Sequence, residues 1–209
     1  MQLGFLINAD ECMGCKVCEA ACRDLHDTPP ERTLRRVQTV EKGSWTVSDG
    51  VPVQHDVYAY SITMSCNHCA EPLCAKVCRQ HAIGKDAATG LVTIDLAACI
   101  GCGSCAKACP YHAIYVDERT QQAHKCDGCK DLVAAGEEPA CVSSCLMRCL
   151  SFGDVEAHVK TGQADVWDSL VEDGVCAPPR KTQPSLVVVP HRRRVASMQC
   201  LQQRGGEQS

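Results

Sequence analysis

Apolar residues in this chain come in short runs broken by polar or turn residues. The longest run near the C-terminus, Leu186-Val187-Val188-Val189, is far below the roughly 18 to 20 apolar residues that a membrane-spanning helix needs. Two stretches repeat. Arg79-Gln80-His81-Ala82-Ile83 is matched by Pro110-Tyr111-His112-Ala113-Ile114, so His-Ala-Ile recurs at the same offset. Each copy runs on into a polar-tipped segment, residues 84–95 in the first and 115–125 in the second. In the first, Thr89-Gly90 marks a turn before Leu91-Val92-Thr93-Ile94, an alternation that predicts a small hairpin. The repeated unit of loop, short helix and short strands predicts an α+β fold of small helices and hairpins. Met1 to Asp10 lacks the charged start and small-residue cleavage site of a signal peptide, and Arg35-Arg36 lies too far inside for a twin-arginine export signal.

Composition sharpens this picture. Aromatic residues are only 4 % of 209, and the 45 % hydrophobic content includes 19 cysteines, so the apolar carbon available for a core is thin. The length suits one elaborated domain or two small, joined ones. Such a cysteine content marks disulfide scaffolds among short secreted chains, but the spacing points elsewhere. Sixteen cysteines form four quartets. Cys12, Cys15, Cys18 and Cys22 make the first and Cys99, Cys102, Cys105 and Cys109 the third, both with the C-x2-C-x2-C-x3-C run of bacterial ferredoxins. The second, Cys66, Cys69, Cys74 and Cys78, and the fourth, Cys126, Cys129, Cys141 and Cys145, keep the same ends and stretch the middle gap.

The chemistry follows from reach. Two thiolates three residues apart on a tight loop can grip neighbouring irons, while the closing C-x3-C puts its last cysteine on a helical turn aimed elsewhere; in two-cluster ferredoxins that cysteine ligates the other cluster. Gly14, Gly101 and Gly128 fill the slot before the second cysteine, where a residue without Cβ permits positive φ. His68 fills it in the second quartet and reads as a loop residue rather than a ligand, since His tolerates that conformation. Four-cysteine zinc sites share the C-x2-C pairs but do not need two uninterrupted runs, and disulfides fit neither the odd count nor the repeated grammar. Cys149 falls in the frame of Ala82 and Ala113 and reads as a small buried side chain; Cys176 and Cys200 read as incidental thiols. His81 and His112 either tune a cluster through hydrogen bonds or are simply packed or solvated.

Charge adds little beyond exclusion. A formal net charge of -4 offers no basic excess for nucleic acid, apart from His191-Arg192-Arg193-Arg194, which could meet anionic headgroups if it is not a disordered tail. Four 4Fe-4S sites at -2 each would take the chain to about -12. Lys16, Arg23, Lys76, Arg79, Lys107 and Lys125, interleaved with the cysteines, either offset that charge or are ordinary solvated cations. With so few aromatics the clusters must also serve as core, so the metal-free chain should be largely unfolded.

Several segments resemble a known family, the four-cluster iron-sulfur (B) subunits of molybdenum oxidoreductases of the dimethyl sulfoxide reductase type. They are Gly4-Phe5-Leu6-Ile7-Asn8 before Cys12-Met13-Gly14-Cys15-Lys16, then Ser65-Cys66-Asn67-His68-Cys69-Ala70-Glu71-Pro72-Leu73-Cys74, Cys99-Ile100-Gly101-Cys102 through Cys109-Pro110-Tyr111, and Lys125-Cys126-Asp127-Gly128-Cys129. The resemblance covers roughly residues 3–155. It departs at Arg79 and Leu146, where such subunits often carry Pro, and at Cys149, where Ala is usual.

The resemblance implies nested ferredoxin-like modules, each for two 4Fe-4S clusters. Residues 1–60 plus 111–160 would hold quartets one and four, residues 61–110 quartets two and three, and residues 161–209 a partly disordered C-terminal extension. Cys12, Cys15, Cys18 and Cys145 would ligate one cluster, and Cys22, Cys126, Cys129 and Cys141 its neighbour. Cys66, Cys69, Cys74 and Cys109 would hold a third, and Cys78, Cys99, Cys102 and Cys105 the fourth. It further implies two partners, a molybdopterin catalytic subunit and a membrane anchor that oxidises quinol, with electrons passing between them. The protein itself would carry no catalytic residue and meet no small-molecule substrate. It would sit peripherally on the cytoplasmic membrane, facing the periplasm after export with its partner. Thiosulfate, polysulfide and tetrathionate reductases use similar subunits and stand as the alternative. A stand-alone iron-sulfur oxidoreductase and a zinc-bound interaction module are the rivals from other classes.

Overall fold

The computed structural model describes residues 1–156, 163–179 and 181–192. The first element is β1 (Leu3–Asn8), a strand that alternates buried Phe5 and Ile7 with half-buried Leu6 and Asn8. Helix α1 (Val17–Leu25) then buries Cys18 and Cys22 on one face, one turn apart, as residues four apart on a helix must. Its acidic Glu19 lies in the first turn and its basic Arg23 in the last, the order the helix dipole favours. Glu19 also accepts the backbone N–H of Val37, fixing the start of the next strand.

Strands β2 (Arg36–Ser48) and β3 (Val51–Met64) form a long antiparallel ribbon with a register shift between Lys42 and Ser44. Asp49 and Gly50 close it with φ of 53° and 79°, the pair of positive values that a tight hairpin turn demands. Only its base is buried, through Val40, Tyr58, Tyr60, Ile62 and Met64; Trp45, Val47 and Val51 toward its tip are exposed.

The repeat appears next. Helix α2 (Leu73–Lys76) leads to β4 (Ile83–Lys85) and β5 (Val92–Ile94), which pair from Ile83↔Ile94 to Lys85↔Val92. Helix α3 (Ser104–Ala108) leads to β6 (Ile114–Asp117) and β7 (Gln122–Lys125), paired from Ile114↔Lys125 to Asp117↔Gln122. Both predicted hairpins are present. Helices α4 (Lys130–Ala134) and α5 (Ala140–Ser143) carry the fourth quartet toward β8 (Leu150–Asp154). Both α2 and α5 follow a proline, Pro72 and Pro139, whose fixed φ suits the residue entering a helix.

The two ends of the protein meet. Strand β8 pairs antiparallel with β1, and after α6 (Gln163–Glu172) strand β9 (Leu186–Val189) pairs parallel with the other edge of β1. Leu170, Val175, Val187 and Val188 are buried, so these parts of the C-terminal segment pack as core. Arg192 donates its backbone N–H and its Nε to Asp10 Oδ1, both at 2.9 Å. Arg193, Arg194 and Cys200 lie outside the described residues, as does all of 193–209, whereas most of the extension expected to be partly disordered, 161–209, is described. Two apolar cores result. The larger joins Phe5, Ile7, Leu34, Ile62 and Leu150; the smaller joins Ile83, Val92, Cys105, Ile114 and Ala123 across the two hairpins.

Candidate metal centres

Each C-x2-C loop has the same backbone habit. Gly14, Gly101 and Gly128 have φ of 74°, 66° and 77°, and His68 in the equivalent slot has 43°. Lys16, Gly103 and Cys129 stand at the N-terminus of α1, α3 and α4 in the left-handed region as well. Alternating left- and right-handed residues turn successive N–H groups to one side and form the concave nests that hold anionic sulfide clusters. The third residue after the closing cysteine repeats the theme, with His81, His112 and Arg148 at φ near 50°. Both histidines are exposed, which fits this conformational role.

The fold brings cysteines from different quartets together. One cavity is lined by Cys66, Cys69 and Cys74 with Cys109, closed by Pro72, Val92, Tyr111 and Ile114. A second is lined by Cys78 with Cys99, Cys102 and Cys105. In each, the closing cysteine of one quartet faces three from the other. Around quartets one and four, thiols of the two quartets also lie close enough to act on one another. Burial, followed by Cys141 and Cys129, pushes the Cys22 thiol up to about 12. Burial also raises Cys126, with Cys66 and then Cys141 adding, and pushes Cys129 up to about 11. Cys18 is raised by burial, with Cys141 and Cys12 adding to it. Cys15 is exposed beside Gly14. Cys149 is buried, as expected, yet its Sγ lies 3.6 Å from that of Cys145, and Cys12 acts on it too. Cys176 is half-buried, and burial alone pushes it up to about 12.

These surroundings fit a thiolate-bound cluster. His68 is fully buried and accepts the Val92 N–H at Nδ1 (3.0 Å), which assigns its proton to Nε2. That Nε2 and the buried Asn67 Nδ2 have no protein partner among the described residues, so two donors stand beside Cys66 and Cys69 able to serve inorganic sulfide. Ala123 donates its N–H to Cys99 Sγ at 3.4 Å. The exposed Cys102 thiol is lowered by the Ser104 hydroxyl.

Three residues near the sites carry no local sequence signal. His26 Nε2 lies 3.7 Å from Cys129 Sγ and 3.9 Å from Asp127 Oδ1, a His-Asp-Cys group that shares its thiol with quartet four. Thr63 Oγ1 lies 3.4 Å from Cys18 Sγ and accepts from Arg35, whose side chain is almost fully buried. Of the interleaved cations, Lys125 is buried, whereas Lys16, Lys76, Arg79 and Lys107 are exposed.

Comparison with known proteins agrees with the cysteine pattern. Residues 57–155 match a family described as a 4Fe-4S dicluster domain, and residues 9–25 match a 4Fe-4S binding domain. The sequence is 45 % identical over 155 residues to the B subunit of anaerobic dimethyl sulfoxide reductase from Escherichia coli (strain K12), covering 74 % of this protein and 75 % of that one. The namesake from Haemophilus influenzae is 38 % identical over 91 % of this protein and 90 % of its own length. A thiosulfate reductase electron transfer subunit, PhsB of Salmonella typhi, is 35 % identical over 79 % of this protein and 84 % of its own length.

Proposed function

Because this protein belongs to the 4Fe-4S electron-transfer subunits of the dimethyl sulfoxide reductase type, we propose that it holds four such clusters in line and relays electrons between two partner subunits. Its role is that of the iron-sulfur subunit of a molybdoenzyme. When bound, each cluster supplies a reversible one-electron store.

The protein's own part is to hold and space them. The crossed grouping of thiols carries the reading, above all Cys109 beside Cys66, Cys69 and Cys74, and Cys78 beside Cys99, Cys102 and Cys105. The ligand sets are these two, together with Cys12, Cys15, Cys18 and Cys145, and Cys22, Cys126, Cys129 and Cys141. Each C-x3-C pair then bridges two sites from consecutive turns of backbone, where side chains lie about 5 to 6 Å apart at Cβ. Neighbouring sites are thereby kept within one helical turn. Quartets one and four form one module and quartets two and three the other, the β6–β7 hairpin packing with the latter through Ile114 and Ala123.

One end of the relay meets a quinol-oxidising membrane anchor and the other a molybdopterin catalytic subunit, which selects the terminal substrate: a sulfoxide or, in the alternative reading, thiosulfate or polysulfide. The proposed position is peripheral on that anchor, facing the periplasm; no helix among the described residues is long and apolar enough to cross a membrane. Iron and sulfide analysis of the anaerobically purified complex, with EPR during reduction, tests the ligand sets. About sixteen irons per copy of this protein are expected. Cys109→Ser should remove the same EPR signal as Cys66→Ser, and Cys105→Ser a different one. If Cys109→Ser and Cys105→Ser remove the same signal, each quartet serves its own cluster and the crossed plan fails.

A further inference from the structure

Two cations are buried at the joints between these sites. Arg35 is 1 % exposed and Lys125 is 6 % exposed. Among the described residues neither is within ion-pair distance of a carboxylate. Removing a guanidinium or ammonium from water without an anionic partner is strongly unfavourable, so other negative charge must face them.

For Arg35 the groups that would carry that charge, as iron-bound thiolates, are cysteines of two sites. Its Nη1 donates to Thr63 Oγ1 at 3.2 Å and its Nη2 to Ser65 Oγ at 3.0 Å, while the guanidinium stands 4.2 Å from the centre of the Phe5 ring. Its Nε has no protein partner among the described residues. Burial opposes its charge, and Cys141, Cys126, Cys18 and Cys22 favour it strongly enough to raise its pKa. Cys18 belongs to one proposed site and the other three to its neighbour. Since Thr63 Oγ1 is already an acceptor from Arg35, its own proton is free for Cys18 Sγ, giving a polarised chain from guanidinium to hydroxyl to sulfur.

Lys125 stands at the next joint. Its Nζ donates to the carbonyl oxygens of Val92 and Cys126. Val92 also lines the cavity of Cys66, Cys69, Cys74 and Cys109, so the ammonium is held between that cavity and the backbone of Cys126.

We propose that Arg35 and Lys125 are the resident counter-charges of the relay and raise the reduction potentials of the sites they face. Arg35 is shared by the sites at Cys12/Cys15/Cys18/Cys145 and Cys22/Cys126/Cys129/Cys141, and Lys125 by the latter and Cys66/Cys69/Cys74/Cys109. This rests on the ligand sets given above. Each reduction adds a negative charge to a site that is already negative, and a fixed cation in a low-dielectric interior favours the reduced state most.

The experiment is EPR-monitored potentiometric titration of the whole complex, with iron and sulfide content measured beside it, for Arg35→Gln, Arg35→Lys and Lys125→Met. Arg35→Gln should make reduction of its two sites at least tenfold less favourable, a fall of about 59 mV for one electron. Lys125→Met should do the same for the Cys66 and Cys126 sites and spare the Cys12 site. The site at Cys78, Cys99, Cys102 and Cys105 should not move in either, and Arg35→Lys should keep both iron and potentials. Iron loss from the two facing sites in Arg35→Gln with full retention in Arg35→Lys supports a need for charge. Equal loss in both overturns the proposal in favour of shape. Unmoved potentials in fully loaded Arg35→Gln and Lys125→Met, or equal shifts at every site, overturn it while leaving the ligand sets intact. A wild-type complex short of iron overturns the ligand sets instead.

Discussion

The two pairs of quartets sit in unlike surroundings. Around quartets one and four, Phe5, Ile7, Leu34, Ile62 and Leu150 form an apolar core in which Cys18, Cys22, Cys126, Cys141 and Cys145 are themselves buried. Around quartets two and three the apolar partners shrink to Ile83, Val92, Ile114 and Ala123; Cys105 is buried among them and Cys66 joins the larger core, but Cys69, Cys74, Cys78, Cys99 and Cys109 are only half-buried and Cys102 is exposed. Hairpins as short as β4–β5 and β6–β7 are marginal by themselves. The first region therefore owns a core that its metal reinforces, and the second relies on metal–thiolate bonds for what apolar burial does not supply.

Iron removal should expose that difference most strongly. Anaerobic chelation should abolish slow hydrogen exchange throughout β4, β5, β6 and β7, while β1, β8 and β9 keep a measurable part of theirs. Loss of protection at the same rate in both regions would break the contrast.

A single methyl group should sharpen it. A Cβ on Gly101 would stand 2.0 Å from the backbone oxygen of Gln121, which cannot move without opening the β6–β7 turn. A Cβ on Gly14 would meet the Ser61 hydroxyl at 2.6 Å, a side chain that can rotate away. Both positions are left-handed, which costs an L-residue about 1–2 kcal/mol. Gly101→Ala should therefore lose the cluster of its own site, about four irons per protein, whereas Gly14→Ala should keep its iron and lose about 1–2 kcal/mol of stability. Iron analysis and thermal melts of the two variants, side by side, make the test.

The contrast also explains what could be read from the sequence. The second region is built of local signals: Gly101 and His68 mark positive φ, Thr89-Gly90 marks a turn, and His-Ala-Ile marks the repeat. Each acts within a few residues, so spacing alone announces it. The first region depends on distant partners. Strand β9 finds β1 across nearly the whole length of the protein, and Arg35 becomes buried only because Phe5, Thr63 and Ser65 close around it. Nothing in Leu34-Arg35-Arg36 separates the buried arginine from the exposed one. The β2–β3 ribbon is illegible for another reason: most of its outer residues are exposed on both faces, so there is no two-residue alternation of burial to detect.

The smallest predicted effect lies where the first region holds the C-terminal segment. Tyr60 donates to Asp173 Oδ2 at 2.6 Å and Tyr58 to Oδ1 of the same carboxylate at 3.1 Å, tying the residue after α6 to the base of the ribbon. Fully buried hydrogen bonds to charged groups contribute roughly 1.5–3 kcal/mol, but Asp173 is half-exposed, so Tyr60→Phe should cost about 1 kcal/mol and Tyr58→Phe, with the longer bond, less. Both rings stay buried in either variant, and the apolar packing is kept. Chemical denaturation should register the loss, and faster exchange should be confined to α6 and β9. The iron content should be unchanged, because the hydroxyls removed bond Asp173 rather than a thiol. Iron loss from the Cys66 or Cys99 site in Tyr60→Phe would mean that the two regions fold as one unit and that the larger core supports the smaller.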